Sequence, residues 1–325
     1  PGASSMPLVR LSRLGRAVSP LDDVWATREL RELIGDLKPD VVNTHTAKAG
    51  LVGRAAALSL GRNRPALVHT VHGHLLTGYF SPLAVRGIST SERLMASASD
   101  LVLAAGEKVR DDLVSAGIVG ADKVRVVRPG VRDFDRIDAA AARVQLGAPA
   151  LRSGAVVAGW LARVVRVKRP DRLVGAALRT PEVEYLVGGD GVLREGLDQR
   201  APANLHSLGW ADPATFWSAV DLAVLTSDNE AMPYSLVEAG LAGLAAVTTN
   251  AGSAAEVVVD GVTGLVVDKD PGAVAEGVRA LVADAPLRQR MGEAARARAL
   301  VEFSPERMLG EHRSAYEEAL SRQHA

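Results

Sequence analysis

The segment SDNEAMPYSLVEAGLAG carries two carboxylates, Glu230 and Glu238, eight positions apart, with Pro233 and Ser235 between them. Glu230 follows an apolar run that reads as a buried strand, and Pro233 with Ser235 fits the start of a helix. One carboxylate then stands in the loop before that helix and the other about one turn inside it. Between them lie free amides whose partial positive charge favours an anion. Two acceptors flanking an anion-binding helix end suit a sugar, a diphosphate and a ribose. The same spacing also fits an ordinary capped helix with solvated glutamates.

Three other segments hold chemistry-bearing residues. In GWLARVVRVKRPDRLV, Arg163 and Lys168 follow a strand and precede a helix, where α/β folds bind phosphates. A guanidinium and an ammonium there would offset charge developing on a departing diphosphate, although Arg166, Arg169 and Arg172 also make this a basic surface loop. In VGGDG, Gly188, Gly189, Asp190 and Gly191 form a strand-to-helix turn that permits close backbone approach to a ligand, or a plain tight turn. No GxGxxG and no Walker A lysine accompany it. In LVHTVHGHLL, His69, His72 and His74 stand at a strand's carboxyl end, near His45 and Lys48 of THTAKAG and near Glu107. Strand alternation sets His69 on the face opposite His72 and His74, and no carboxylate or cysteine is adjacent. A cleft role for one or two histidines, with His69 structural, fits better than a metal site. Asp133-Phe134-Asp135 resembles a metal-holding acidic pair but lies in a segment read as a linker.

The elements that position these residues alternate helix and strand. Strands are expected at residues 40–43, 66–71, 101–104 and 124–127, with helices at 21–37, 47–60, 91–99 and 107–116. Polarity rises and strand signals stop over residues 133–153, read as the interdomain linker. A second series follows, with strands at 155–159, 185–187, 205–208, 222–225, 246–248 and 264–267 and a last helix at 305–320. This is an α/β chain with two Rossmann-like domains, each a doubly wound parallel sheet flanked by helices, with ligands expected at the carboxyl ends of the strands. The domains are placed at 1–147 and 148–304, with helix 305–325 packing back towards the first.

Composition agrees. At 325 residues the chain is long enough for two cores. Its 38 basic and 38 acidic residues cancel, which argues against a nucleic-acid partner. The absence of cysteine excludes disulfides, thiolate metal sites and cysteine nucleophiles, and fits a reducing cytoplasm. No stretch approaches the roughly 18–20 apolar residues of a membrane span, and no secretory signal opens the chain. It begins at Pro1, and its first clear element reads as a helix from the middle of a domain; a start inside the first domain is expected.

Together these segments resemble the retaining glycosyltransferases of family four, which have the GT-B fold. The matching order is THTAKAGLVGR, HTVHGH, KVRVVRPGV, GWLARVVRVKRPDRLV, GGDGVLREGL, LHSLGW, LTSDNEAMPYSLVEAGLAG and EVVVDGVTGLVV, followed by FSPERM and a helix. The resemblance implies that Glu230 contacts hydroxyls of the transferred sugar and Glu238 the ribose. It implies that Arg163, Lys168 and the amides of Tyr234, Ser235 and Leu236 hold the diphosphate, and that Gly209 and Trp210 lie by the base. It sets His72 near the reacting sugar, with Glu230 as its catalytic companion and His45, Lys48 and Glu107 on the acceptor side. No metal and no other cofactor is expected.

Three departures stand out: Ala162 and Ala231 where the family usually has glycine, and Ala245 where it usually has proline. A backbone needing φ > 0 would be strained at the two former glycine positions. The strand and Gly-Gly loop with which the family opens are also absent. The implied activity is transfer of a sugar from a UDP- or GDP-sugar to a hydroxyl of a saccharide or lipid-linked acceptor, with retention. The implied setting is cell-envelope or exopolysaccharide synthesis at the inner face of the cell membrane, as a cytoplasmic or peripheral protein. A sugar-nucleotide epimerase of the same fold and a non-catalytic nucleotide-sugar-binding fragment are the alternatives.

Overall fold

The computed structural model describes residues 7–15, 19–73 and 82–324, apart from the side chains at 82–86 and 88. The chain divides into two compact units: Pro1–Ala104 with Arg110–Val126 and His312–Ala325, and Ala105–Val109 with Val127–Glu311. In chain order the first half holds α1 (Pro20–Leu37), β1 (Val41–His45), α2 (Ala47–Leu58), β2 (Ala66–Val71), α3 (Pro82–Ala98), β3 (Leu101–Ala104), α4 (Glu107–Ser115) and β4 (Val124–Val126). Then come α5 (Ala139–Gln145), β5 (Val157–Leu161), α6 (Pro170–Ala177), β6 (Glu184–Gly188), α7 (Arg194–Asp198), β7 (Leu205–Gly209) and α8 (Pro213–Ser218). The chain continues through β8 (Leu222–Leu225), α9 (Tyr234–Leu241), β9 (Ala246–Thr249), α10 (Ala254–Val257), β10 (Gly264–Val267), α11 (Pro271–Ala283), α12 (Ala285–Glu302) and α13 (Pro305–Gln323).

Every described strand pairing is parallel, in the orders β1-β2-β3-β4 and β10-β9-β8-β5-β6-β7. Parallel strands covered by helices on both faces must be apolar at consecutive positions. The second sheet shows this residue by residue: Ala158, Trp160, Tyr185, Val187, Leu222 and Val224 enter one core, while Val157, Leu186, Ala223 and Leu225 enter the other. Asp-Pro pairs set several helix starts. Asp212 accepts from the Thr215 amide at 2.9 Å ahead of α8, and Asp270 accepts from the Gly272 amide at 2.7 Å ahead of α11. Replacing such a cap with alanine costs about 1 kcal/mol.

The units divide after Val126 rather than at residue 147, because the expected linker is built into the second unit. Asp138 caps α5 by accepting from the Ala141 amide at 2.9 Å, Arg143 Nε donates to the Ala219 carbonyl at 2.9 Å, and the Ile137 amide donates to Ser218 Oγ at 3.1 Å. Asp133 is paired with Arg296 at 2.9 Å, and Phe134 packs on the second core. The last helix is shared: α13 lies with the second unit as far as Glu311 and with the first from His312 on.

Candidate functional site

Strand order explains where the second unit's chemistry gathers. β5 is followed by β6 on one side, while β8 lies against its other side, so the strand order reverses between β5 and β8, the place where open α/β sheets take ligands at the carboxyl ends of their strands. Arg163 and Lys168 follow β5, and Glu230 follows β8. Lys168 Nζ donates to Glu230 Oε1 at 2.5 Å, and the Ser227 hydroxyl donates to the same oxygen at 2.5 Å. Glu230 is buried and Arg163 is exposed.

A polar network that sequence reasoning missed holds these two connections together. The Asp228 amide donates to the Val167 carbonyl at 2.8 Å, and the Thr226 hydroxyl donates to the Lys168 carbonyl at 2.9 Å. Buried Arg172 donates to the Thr226 carbonyl and, at 2.8 Å, to Asp228 Oδ1, while Arg169 reaches Asp228 at 3.1 Å. Burial works to raise the Asp228 carboxyl, but hydrogen bonds from Arg172 and Arg169 overcome it and hold it below the usual carboxylate range. The signal was present in the pairing of KRPDR with SDN, but only strand adjacency brings those segments together.

Helix α9 starts at Tyr234 after Pro233, so the Tyr234 and Ser235 amides precede the helix's own hydrogen-bond ladder. The Leu236 amide, expected with them, instead donates to the Pro233 carbonyl at 3.0 Å. Glu238 lies just over one turn in, half-buried, with Trp217 Nε1 donating to it at 3.4 Å. Burial raises its carboxyl above the usual range, the Trp217 contact opposes this, and the Asp212 charge adds to it.

The glycine loop acts on neighbouring backbone. The Ala162 amide donates to the Gly188 carbonyl at 3.1 Å and the Val164 amide to the Asp190 carbonyl at 2.9 Å, so residues 188–191 run beside the connection that carries Arg163. Gly189 has φ +124°, and a Cβ there would stand 2.0 Å from the Ala162 carbonyl oxygen. The Gly189 amide donates to the carbonyl of Gly209, which has φ +79°, and Trp210 beside it is 81% exposed. Neither Ala162 nor Ala231 has positive φ, so the strain expected at these two alanines does not arise. Ala245 is buried, and its carbonyl accepts from the Ala223 amide at 2.9 Å.

In the first unit, His45 Nδ1 and His72 Nε2 stand 2.7 Å apart at the ends of β1 and β2, their rings stacked with centroids 5.0 Å apart. Burial and the neighbouring histidines, including His312 of α13, lower both imidazoles. Thr46, next to His45, holds φ 65° and ψ 156°, a region that costs a β-branched residue about 1–3 kcal/mol. Lys48 pairs with Asp23 at 2.7 Å. Glu107, expected on the acceptor side, lies with the second unit, where its amide donates to Glu256 Oε2 at 2.8 Å. His74 falls outside the described residues.

His69 belongs to the core. Its Nδ1 shares a 2.9 Å hydrogen bond with Thr44 Oγ1, and burial together with the Arg54 charge pushes it down to about 3. The unfolded imidazole protonates near its ordinary 6.5 while the folded one stays neutral, so stability is present above pH 6.5 and is lost as pH falls towards 3. At pH 5 the loss should be about 2 kcal/mol. Urea unfolding of the intact chain and of His69→Gln at pH 7.5 and 5.0 checks this; an equal loss in both would remove His69 as the cause.

Known proteins place these features in a family. Residues 6–133 match the family described as Glycosyltransferase Family 4, and residues 148–298 match Glycosyl transferases group 1. The D-inositol 3-phosphate glycosyltransferase of Xylanimonas cellulosilytica is 32% identical over 286 residues, covering 79% of this chain and 67% of that one. The capsular polysaccharide biosynthesis glycosyltransferase CapM of Staphylococcus aureus is 24% identical, covering 93% and 82%. Among solved structures, Anabaena Alr3699/HepE in complex with UDP and glucose superposes with TM-score 0.78 at 22% identity, covering 92% of this chain and 83% of that one. Sucrose-phosphate synthase from Thermosynechococcus elongatus gives 0.80 at 20% identity, covering 96% and 83%. With two α/β units of the GT-B type and this match along both, the chain belongs to the family 4 glycosyltransferases.

Proposed function

We propose that the second unit binds a UDP- or GDP-sugar and that the enzyme transfers the sugar, with retention, to a hydroxyl of a saccharide or lipid-linked acceptor. The observation that carries this reading is the switch point between β5 and β8, where Lys168 from one connection meets buried Glu230 from the other, ahead of the start of α9. Arg163, Lys168 and the Tyr234 and Ser235 amides take the diphosphate, Glu230 the sugar hydroxyls, Glu238 the ribose, and Gly209-Trp210 the base. Among the first unit's residues His72 acts at the reacting sugar, and His45 and Lys48 serve the acceptor side. Cationic side chains and a helix start stabilise the departing diphosphate, so the reading assigns no metal. A UDP-bound structure of the same fold and a capsular-polysaccharide relative support the choice of sugar donor and a role in envelope or exopolysaccharide assembly, for which we assign the inner membrane face as the setting. Among the described residues no helix is long and apolar enough to cross a membrane, so contact there would be peripheral.

Calorimetry with UDP and with GDP tests the site. The intact chain should bind one of them, and Arg163→Ala combined with Lys168→Ala should weaken that binding at least about tenfold, since the charged hydrogen bond of Arg163 alone is worth about 1.5–3 kcal/mol. Equal affinity in the double variant would dismiss the phosphate assignment.

A further inference from the structure

Lys168 and Glu230 face each other. The Lys168 ammonium and the Ser227 hydroxyl converge on Glu230 Oε1, each at 2.5 Å, and the Lys168 and Glu230 side chains are only 16% and 8% exposed. An ammonium held this way has much of its charge already neutralised. A phosphate that recruits Lys168 therefore competes with Glu230, and if it wins it strips a buried carboxylate of its cation, which is costly. Sugar hydroxyls beside Glu230 remove that penalty, because they bring replacement donors to the carboxylate as the ammonium turns away.

We propose that the Lys168–Glu230 pair is a specificity latch, releasing Lys168 to a diphosphate only when a sugar is present to satisfy Glu230. It distinguishes a sugar nucleotide from the bare nucleoside diphosphate that remains after transfer. When the sugar leaves, its hydroxyls leave with it, Glu230 recaptures Lys168, and the diphosphate loses a cation. This inference rests on the sugar-donor reading above and adds a sign to it: Glu230 opposes the binding of a diphosphate alone. Ser227 has the reverse effect, because it shares the oxygen that holds Lys168 and so weakens the latch.

The test is calorimetry with UDP against UDP-glucose and GDP against GDP-mannose, on the intact chain, Glu230→Gln, Ser227→Ala and Arg163→Ala. The latch predicts that Glu230→Gln binds the bare diphosphate about tenfold more tightly, the order expected when one charged hydrogen bond stops competing. It should bind the sugar nucleotide more weakly, so the preference between the two collapses. Ser227→Ala should bind the diphosphate about threefold more weakly, and it alone decides if Glu230→Gln does not fold. Unchanged or weaker diphosphate binding by Glu230→Gln, with Arg163→Ala still weakening it, overturns the latch and leaves the sugar-donor site standing. Failure of the intact chain to bind either diphosphate, or indifference to Arg163→Ala, overturns the site itself.

Discussion

Replacing Gly189 by alanine should cost the second unit about 2–6 kcal/mol and most of its affinity for a nucleoside diphosphate. Two costs add. At φ +124° a side chain is strained by about 1–3 kcal/mol. The new Cβ would also stand 2.0 Å from the Ala162 carbonyl oxygen, and a backbone clash of that kind costs about as much again. The clash cannot be relieved by a rotamer change, because both atoms are fixed by the hydrogen bonds from the Ala162 and Val164 amides to the Gly188 and Asp190 carbonyls. Relief has to come from moving the connection that carries Arg163 and Lys168, which is why stability and binding should fall together. In a Trp25→Phe background the remaining tryptophans, Trp160, Trp210 and Trp217, all report on the second unit, so urea unfolding followed by fluorescence isolates it. Gly196→Ala is the control: it lies inside α7, where a Cβ meets only the tip of Arg200 at 3.3 Å, and it should be neutral or slightly stabilising. A loss below about 1 kcal/mol at Gly189 would mean that the loop is free to move and that its glycines serve something other than this contact.

That glycine pair shows how far the sequence could be read. VGGDG announced a turn needing unusual backbone freedom, and the turn is there; what the glycines press against was not announced, because the partner is a backbone segment 27 positions earlier. Strands were legible almost to the residue. β2, β3, β8 and β10 occupy the expected spans because parallel strands covered by helices are written mainly in consecutive apolar residues, as in LVLA of β3 and LAVL of β8. α5 was missed for the opposite reason: AAAARVQ has no clear apolar face, and what fixes it is a set of long-range bonds from Arg143 and Ile137 to α8 and its end. α3 was expected to start at residue 91 and starts at Pro82. In the site, the types and positions of Arg163, Lys168, Glu230 and Glu238 were readable, but the meeting of Lys168 with Glu230 was not. It depends on β8 lying beside β5, a fact of sheet order that no local pattern carries. The pairing of Lys168 with Glu230 follows from that order, as does the need for Ser227 and Asp228 beside them.

The clearest case of a determinant invisible in the sequence lies in the first unit. Arg54 on α2 and Glu92 on α3, 38 positions apart, form a doubly hydrogen-bonded pair at 2.8 and 2.9 Å. The Arg54 side chain is 0% exposed and the Glu92 side chain 5%. Next to them, His69 stands 4.0 Å from Glu92 and bonds Thr44, the residue before His45. Glu92→Leu should therefore destabilise the unit by about 3–5 kcal/mol, because the guanidinium would remain buried without a counter-charge. Arg54→Leu together with Glu92→Leu should recover most of that loss, since two apolar side chains leave no charge to satisfy. The single change should also move His69 further down, as the Arg54 charge that helps to hold it low loses its neutralising carboxylate and the imidazole loses a negative neighbour. Urea unfolding followed by circular dichroism at pH 7.5 measures all three chains. A double variant no more stable than Glu92→Leu would show that the geometry of the ion pair, and not the removal of an uncompensated charge, holds α2 and α3 against β2.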